Sequence, residues 1–151
     1  MIIRIIAVGR LREKYWQDAA YDFIRRIRPY SRLQIEEVPE SHIKENASPA
    51  EETKAMQDEG RAILEKLKGH SGQVVALDRQ GKSLDSMQVS QWLQKTILDG
   101  RSEAAFVIGG PLGLASEVLE RADMTLSFSR MTFPHQMIRV ILLEQIYRGF
   151  R

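Results

Sequence analysis

The sequence predicts an α/β domain built on a mostly parallel sheet with helices on both faces. Three observations carry this expectation. Short apolar runs and longer amphipathic runs alternate five times along the chain. The helical runs open on recognisable start signals and close on glycines. The 151 residues suit one domain, with no internal repeat and no low-complexity segment.

The elements follow in order. Ile2–Val8 reads as a buried strand that Gly9 ends. Residues 13–28 read as a helix, with Trp16, Ala19, Ala20, Phe23, Ile24 and Ile27 at three- and four-residue spacing. Residues 33–38 alternate like a half-buried strand, with Leu33, Ile35 and Glu37 on one face. Residues 39–47 are polar and read as a mobile loop. In Ser48-Pro-Ala-Glu51, Ser48 caps a helix, Pro49 suits its first turn and Glu51 completes a capping box. That helix is expected to reach about Lys68. Residues 74–78 form a buried strand, and Asp85 or Ser86 caps a helix through Leu98. Residues 104–108 form a strand that runs into Gly109-Gly-Pro-Leu-Gly113. A short helix over 116–121, a strand over 124–128 and a final helix from Pro134 to about Arg148 complete the chain.

Composition excludes several function classes. Without cysteine there is no disulfide scaffold, thiol nucleophile or Cys-based metal site. The longest apolar stretch, 137–146, is interrupted by Arg139 and Glu144 and is too short to span a bilayer. The N-terminus lacks the basic region and cleavage site of a signal peptide, so the expected compartment is the cytoplasm. The net charge of +2 hides an asymmetry. Residues 1–40 hold 8 basic against 6 acidic side chains, residues 41–120 hold 9 against 12, and residues 121–151 hold 5 against 2. Two basic ends suit a phosphate-bearing partner if they meet in space; otherwise they are solvated faces.

Ligands of parallel sheets bind at the carboxyl ends of strands. Those ends are residues 78–82, 109–114 and 127–132, all in the second half of the chain, where the site is expected. Gly109 and Gly110 permit a sharp turn and close approach of a ligand, although the segment is neither a dinucleotide fingerprint nor a phosphate loop. The last helix is apolar over more than half its circumference, which suits either a central position or a subunit interface. Glu144 and Arg148 share its narrow polar sector at i,i+4 spacing. Arg139 sits among apolar neighbours and needs a carboxylate, carbonyls or a phosphate as partner. The histidines, His42, His70 and His135, show no metal-ligand spacing, so no metal is expected. His135 opens the last helix beside the ligand loops, as a cap, a packed residue or a functional one.

In this order the chain carries Ala7-Val-Gly-Arg10, Val75-Ala-Leu-Asp78 with Gly81-Lys82, Ile108-Gly-Gly-Pro-Leu-Gly-Leu114, Leu126-Ser-Phe-Ser129, Met131-Thr-Phe-Pro-His135 and Arg139-Val-Ile-Leu-Leu-Glu-Gln-Ile-Tyr-Arg148. This combination resembles, over essentially the whole chain, the bacterial ribosomal large-subunit methyltransferase H family of the SPOUT superfamily of knotted methyltransferases. The resemblance implies a single domain over 1–151 with a C-terminal trefoil knot, its cofactor-binding region spanning about 74–151. It implies a homodimer that uses S-adenosylmethionine to methylate N3 of a pseudouridine in 23S ribosomal RNA, within the assembled ribosome.

Carried over by position, the cofactor contacts fall on Leu77, Gly109, Phe128, Ser129, Arg130, Met131, Thr132 and Phe133. Methyl transfer to nitrogen needs alignment and removal of a proton, and the candidates for orientation and proton handling are His135, Glu144 and Arg148. Phosphate contacts are expected from Arg10, Arg12, Lys14, Arg25, Arg26 and Lys82. Two alternatives remain: a non-catalytic ribosome-binding assembly factor, and a knotted methyltransferase acting on transfer RNA. The chain departs from the family pattern at Gly149-Phe150-Arg151, where the family continues with a short tail containing Pro-Tyr-His. A natural variant or a shortened chain would explain the departure, and it leaves the general base open.

Overall fold

Side chains alternate across a strand with a period of two, so a strand with apolar side chains on both faces must be covered on both. β1 (Ile2–Val8) behaves in this way in the computed structural model, which describes residues 1–100 and 102–151. Ile3, Ile5 and Ala7 enter one core cluster, while Ile6 and Val8 enter another. The first cluster collects Ala20 and Ile27 from α1 (Lys14–Ile27), Leu93 from α3 (Ser86–Leu98), and Leu142, Leu143 and Ile146 from α5 (His135–Phe150). The second collects Ile63 and Leu67 from α2 (Pro49–Leu67) and Val118 from α4 (Ser116–Arg121).

With β2 (Arg32–Val38), β3 (Gln73–Ser83), β4 (Glu103–Ile108) and β5 (Met124–Ser127), the sheet has the order β2-β1-β4-β3-β5. Every pairing is parallel. The expected α/β class, the parallel sheet and the helices on both faces are therefore present. The helix starts are also as expected. Ser48 and Glu51 form a reciprocal capping box on α2, and Asp85 with Gln88 forms one on α3.

β3 differs from its expected span. It continues to Ser83 instead of ending at Asp78, and both Leu77 and Lys82 pair with Leu126 of β5. The four residues between them form a bulge, which aims Asp78 and Arg79 away from the ladder. Lys82 thus lies on the extended strand, not in a ligand loop.

α5 occupies a central position between α1 and α3. It runs parallel to α1: the Arg12 N–H donates to Gln136 Oε1 at one end (3.2 Å), and Tyr30 stacks on Phe150 at the other, with ring centroids 5.8 Å apart. Arg139 is buried and finds two of its three candidate kinds of partner, a carboxylate and a carbonyl. Its Nη1 donates to Glu37 Oε2 (2.5 Å) and its Nη2 to the Gly9 carbonyl (2.9 Å). Glu37 of β2 therefore shares the α5 face of the sheet with Leu33 and Ile35, as the alternation predicted.

Candidate functional site

The carboxyl ends of β3, β4 and β5 surround a cavity of about 650 Å³. This lies within the range of small-molecule sites, and its walls are mainly apolar, from Leu77, Ile108, Leu114, Leu126, Phe128 and Phe133. β4 ends at Ile108, Gly109 follows, and residues 110–113 turn back on themselves. The Gly113 N–H donates to the Gly110 carbonyl at 3.0 Å, and Gly113 has a φ of +88°. A Cβ at Gly109 would stand 2.9 Å from the Gly113 carbonyl carbon, so a side chain there would force the turn open. On the opposite wall the Met131 N–H donates to Ser129 Oγ (2.9 Å), and Arg79 Nη1 reaches Thr132 Oγ1 (2.7 Å). The β3 bulge thereby braces the 128–134 segment.

Leu77, Gly109, Phe128, Ser129, Met131, Thr132, Phe133 and His135 all line this cavity. Arg130 is exposed and is not among the lining residues. His135 is half-buried. Burial is the main cause holding its pKa below the ordinary value of 6.5; nearby Arg139 and Arg12 also lower it, and Glu40 opposes them. The imidazole is therefore neutral at physiological pH.

Glu144 and Arg148 lie elsewhere. They pair with each other, Arg148 Nε donating to Glu144 Oε1 at 3.0 Å. At 1.5 Å per residue they sit about 13 and 20 Å down α5 from His135, outside the cavity lining.

The basic candidates divide into groups. Arg10, Arg12 and Lys14 follow β1 near the cavity end of α5, with Arg12 4.0 Å from Glu40 and Lys14 paired to Asp18. Arg25 and Arg26 share Asp22 near the other end of α1, and Arg26 lies 5.8 Å from the Tyr147 ring centroid. Lys82 is exposed on β3.

The first half of the chain contributes more than its sequence suggested. Met56 of α2 lines the cavity, and Glu40 stands close to His135. From the second half, Asp78 and Arg79 line it as their place at a strand end suggested, presented by the bulge. Met56 gave no signal, because a methionine on an apolar helix stripe reads as core. Glu59 did give one: it stands four residues from both Ala55 and Ile63 on the buried face of α2, where a carboxylate is out of place.

The family model described as "Predicted SPOUT methyltransferase" matches residues 1–151. The chain is 48% identical over 151 residues to a protein of Carboxydothermus hydrogenoformans named "Ribosomal RNA large subunit methyltransferase H", covering 100% of this chain and 94% of that one. A protein of the same name from Symbiobacterium thermophilum is 48% identical over 152 residues, with the same coverage. Among solved structures, a probable methyltransferase from Bordetella pertussis superposes with a TM-score of 0.63 at 15% identity, over 99% of this chain and 94% of the other. A probable methylase family protein from Haemophilus influenzae gives 0.60 at 16% identity, over 98% of this chain and 66% of that longer one. At such identities these two likenesses speak for the fold.

Proposed function

The chain belongs to the SPOUT methyltransferase family, and from that premise we propose that it is an S-adenosylmethionine-dependent methyltransferase of large-subunit ribosomal RNA, acting at N3 of a pseudouridine. One observation carries the reading. The sheet presents a large apolar cavity, built from residues 109–114 and 128–135, in a chain 48% identical to proteins named "Ribosomal RNA large subunit methyltransferase H".

The residues suit the methyl donor. Apolar walls from Leu77, Leu114, Phe128 and Phe133 accept an adenine ring. The side-chain-free edge at Gly109 leaves backbone groups accessible to it, and the Asp78 carboxylate can take hydroxyl hydrogen bonds. When bound, the donor supplies an electrophilic methyl on a sulfonium, whose charge disappears on transfer, so the chemistry calls for no metal. The chain's own task is alignment and proton removal. Neutral His135, at the head of α5, orients the reactants without placing a second cation beside the sulfonium. Arg10 and Arg12 flank the same end and hold phosphates.

The active species is a homodimer in the cytoplasm. Met131, 71% exposed beside the cavity, offers an apolar surface for a second protomer to cover. Glu144 and Arg148 lie too far down α5 to serve their own protomer's cavity, so their roles fall at the RNA or partner surface. The threading of α5 through a trefoil loop belongs to the same reading.

The test is methyl transfer from labelled S-adenosylmethionine to ribosomes that lack the modification, with free ribosomal RNA and transfer RNA in parallel. Transfer to the ribosomes is expected. Binding of both cofactor and ribosome without transfer would favour a non-catalytic assembly factor, and transfer to transfer RNA alone would replace the substrate.

A further inference from the structure

Glu59 is 3% exposed, yet only half of its carboxylate is satisfied. Oε2 accepts the Ser41 N–H at 2.9 Å, whereas Oε1 is buried without a partner. A buried acceptor left open costs free energy, which makes it a place where a ligand donor belongs. Glu59 lines a second pocket, of about 130 Å³, with Glu40, Ser41, His42, Ile43, Pro111 and Leu112.

This pocket adjoins the large cavity along two seams. Pro111 and Leu112 line both spaces, and a Cβ at Gly110 would lie 3.6 Å from Glu59 Oε1. On the other side, a Cβ at Gly9 would lie 3.4 Å from Glu40 Oε2 and 3.8 Å from His135 Nε2, which faces the large cavity. A methyltransferase needs a donor site and an acceptor site in contact. The large cavity suits a nucleoside-sized donor, and the small one has room for a single ring. Two carboxylates repel phosphate, so the backbone of an RNA ligand stays with Arg10 and Arg12 outside. A free, fixed carboxylate oxygen calls for an N–H donor, and the imino edge of a uracil-type base supplies one.

Resting on the RNA methyltransferase reading above, we propose that the small pocket is the acceptor-base subsite and that Glu59 Oε1 receives the imino proton of the base being methylated. The proton passes from N3 to Oε1. The electron pair left on nitrogen forms the N–C bond to the methyl group, the C–S bond breaks, and its pair stays on sulfur, which becomes neutral. The carboxylic acid then releases its proton to solvent. Burial raises the Glu59 carboxyl above its ordinary 4.5, with Glu40 adding to the effect and the Ser41 hydrogen bond opposing it. A stronger base than an exposed carboxylate results. The other titratable groups around it are His42, across the pocket, and the Asp58–Arg61 ion pair beside it on α2; residues 110–112 bring none.

The experiment compares wild type with Glu59→Gln, which keeps the side chain's shape and an oxygen for the Ser41 N–H. Three quantities are read: S-adenosylmethionine affinity, melting temperature against pH, and single-turnover transfer to unmodified ribosomes against pH. Because the folded-state pKa is raised, ionising Glu59 costs stability as pH rises through it. The variant is therefore expected to melt at or above the wild-type temperature near neutrality. Affinity for the donor should be unchanged, while transfer falls by about 10²–10⁴-fold and recovers partly as pH rises and hydroxide replaces the base. Equal transfer by variant and wild type overturns the proposal. So does a loss of donor affinity as large as the loss of transfer, which would assign the pocket to the donor's ammonium group. A wild type that binds donor and transfers nothing to any RNA defeats the parent reading instead, a distinct result.

Discussion

Gly109→Ala adds one methyl group where the structure has no room for it. The new Cβ would lie 2.9 Å from the Gly113 carbonyl carbon, 3.0 Å from its oxygen and 3.1 Å from Leu114 Cδ2. The Leu114 side chain can move, but the first two atoms are backbone of the 110–113 turn, so the turn itself must open. Overpacking of this kind costs about 1–3 kcal/mol. The turn forms one wall of the large cavity, so its displacement falls on donor binding. If the whole cost appears there, affinity weakens by about 5- to 150-fold, at 1.4 kcal/mol per tenfold. The melting temperature of a domain of this size falls by about 2–12 °C for the same cost. Ile3→Val is the control: it lies at the amino end of β1, fully buried and away from the cavity. It costs about 0.5–1.5 kcal/mol of stability and should leave affinity untouched. Calorimetric titration of both variants with S-adenosylmethionine checks the reasoning. A Gly109→Ala protein that binds the donor as wild type does would show that the turn is not a wall of the donor site.

Two further outcomes follow from charged groups. Arg139→Met strips Glu37 and the Gly9 carbonyl of their shared partner; since Glu37 is 42% exposed and water can replace part of the loss, the expected destabilisation is about 1–3 kcal/mol, less than the ~3–5 of a fully buried pair. Urea unfolding measures it, and Glu37→Gln in the same chain should recover part of it. His135 has its folded-state pKa below 6.5, so the unfolded chain binds the proton first; stability is complete above that pH and falls as pH drops below it. His135→Gln should flatten this slope in thermal melts. In the wild type, acid should also weaken binding of the cationic donor more than that of its neutral, demethylated product, because the imidazolium would face the sulfonium.

The layered fold was legible because each strand and helix states its own partner surface. Apolar runs such as Ile2–Val8 demand cover on both faces, and Ser48-Pro-Ala-Glu51 marks a helix start to the residue. The position of the large cavity was legible for the same local reason, since its walls are contiguous segments that follow strands. The β3 bulge was not legible. Its cause is the register in which Leu77 and Lys82 both meet Leu126, a pairing between segments some 45 residues apart in the sequence. That register alone turns Asp78 and Arg79 toward the cavity. The contributions of Glu40 and Met56 were hidden likewise, because parallel order brings the ends of β2 and α2 beside β4 without leaving a mark in composition. Arg139 announced that it needed a partner, but only the seating of α5 selects Glu37 and the Gly9 carbonyl from the kinds available.

The strand order has a consequence for synthesis. β4 is fourth in the chain but third in the sheet, and it alone joins the β2-β1 pair to β3. Until residue 108 has left the ribosome, the nascent chain holds two fragments, the β2-β1 pair and the lone strand β3, each with an open edge shaped for the same missing strand. The two fragments can be united only by a segment made after both. At about 5–20 residues per second, the chain from the end of β3 to the end of β4 takes about 1–5 s to emerge, and the sheet cannot close sooner. The half-made protein therefore exposes its most apolar edges for longest, and shielding by a chaperone would matter most in the interval before β4 inserts.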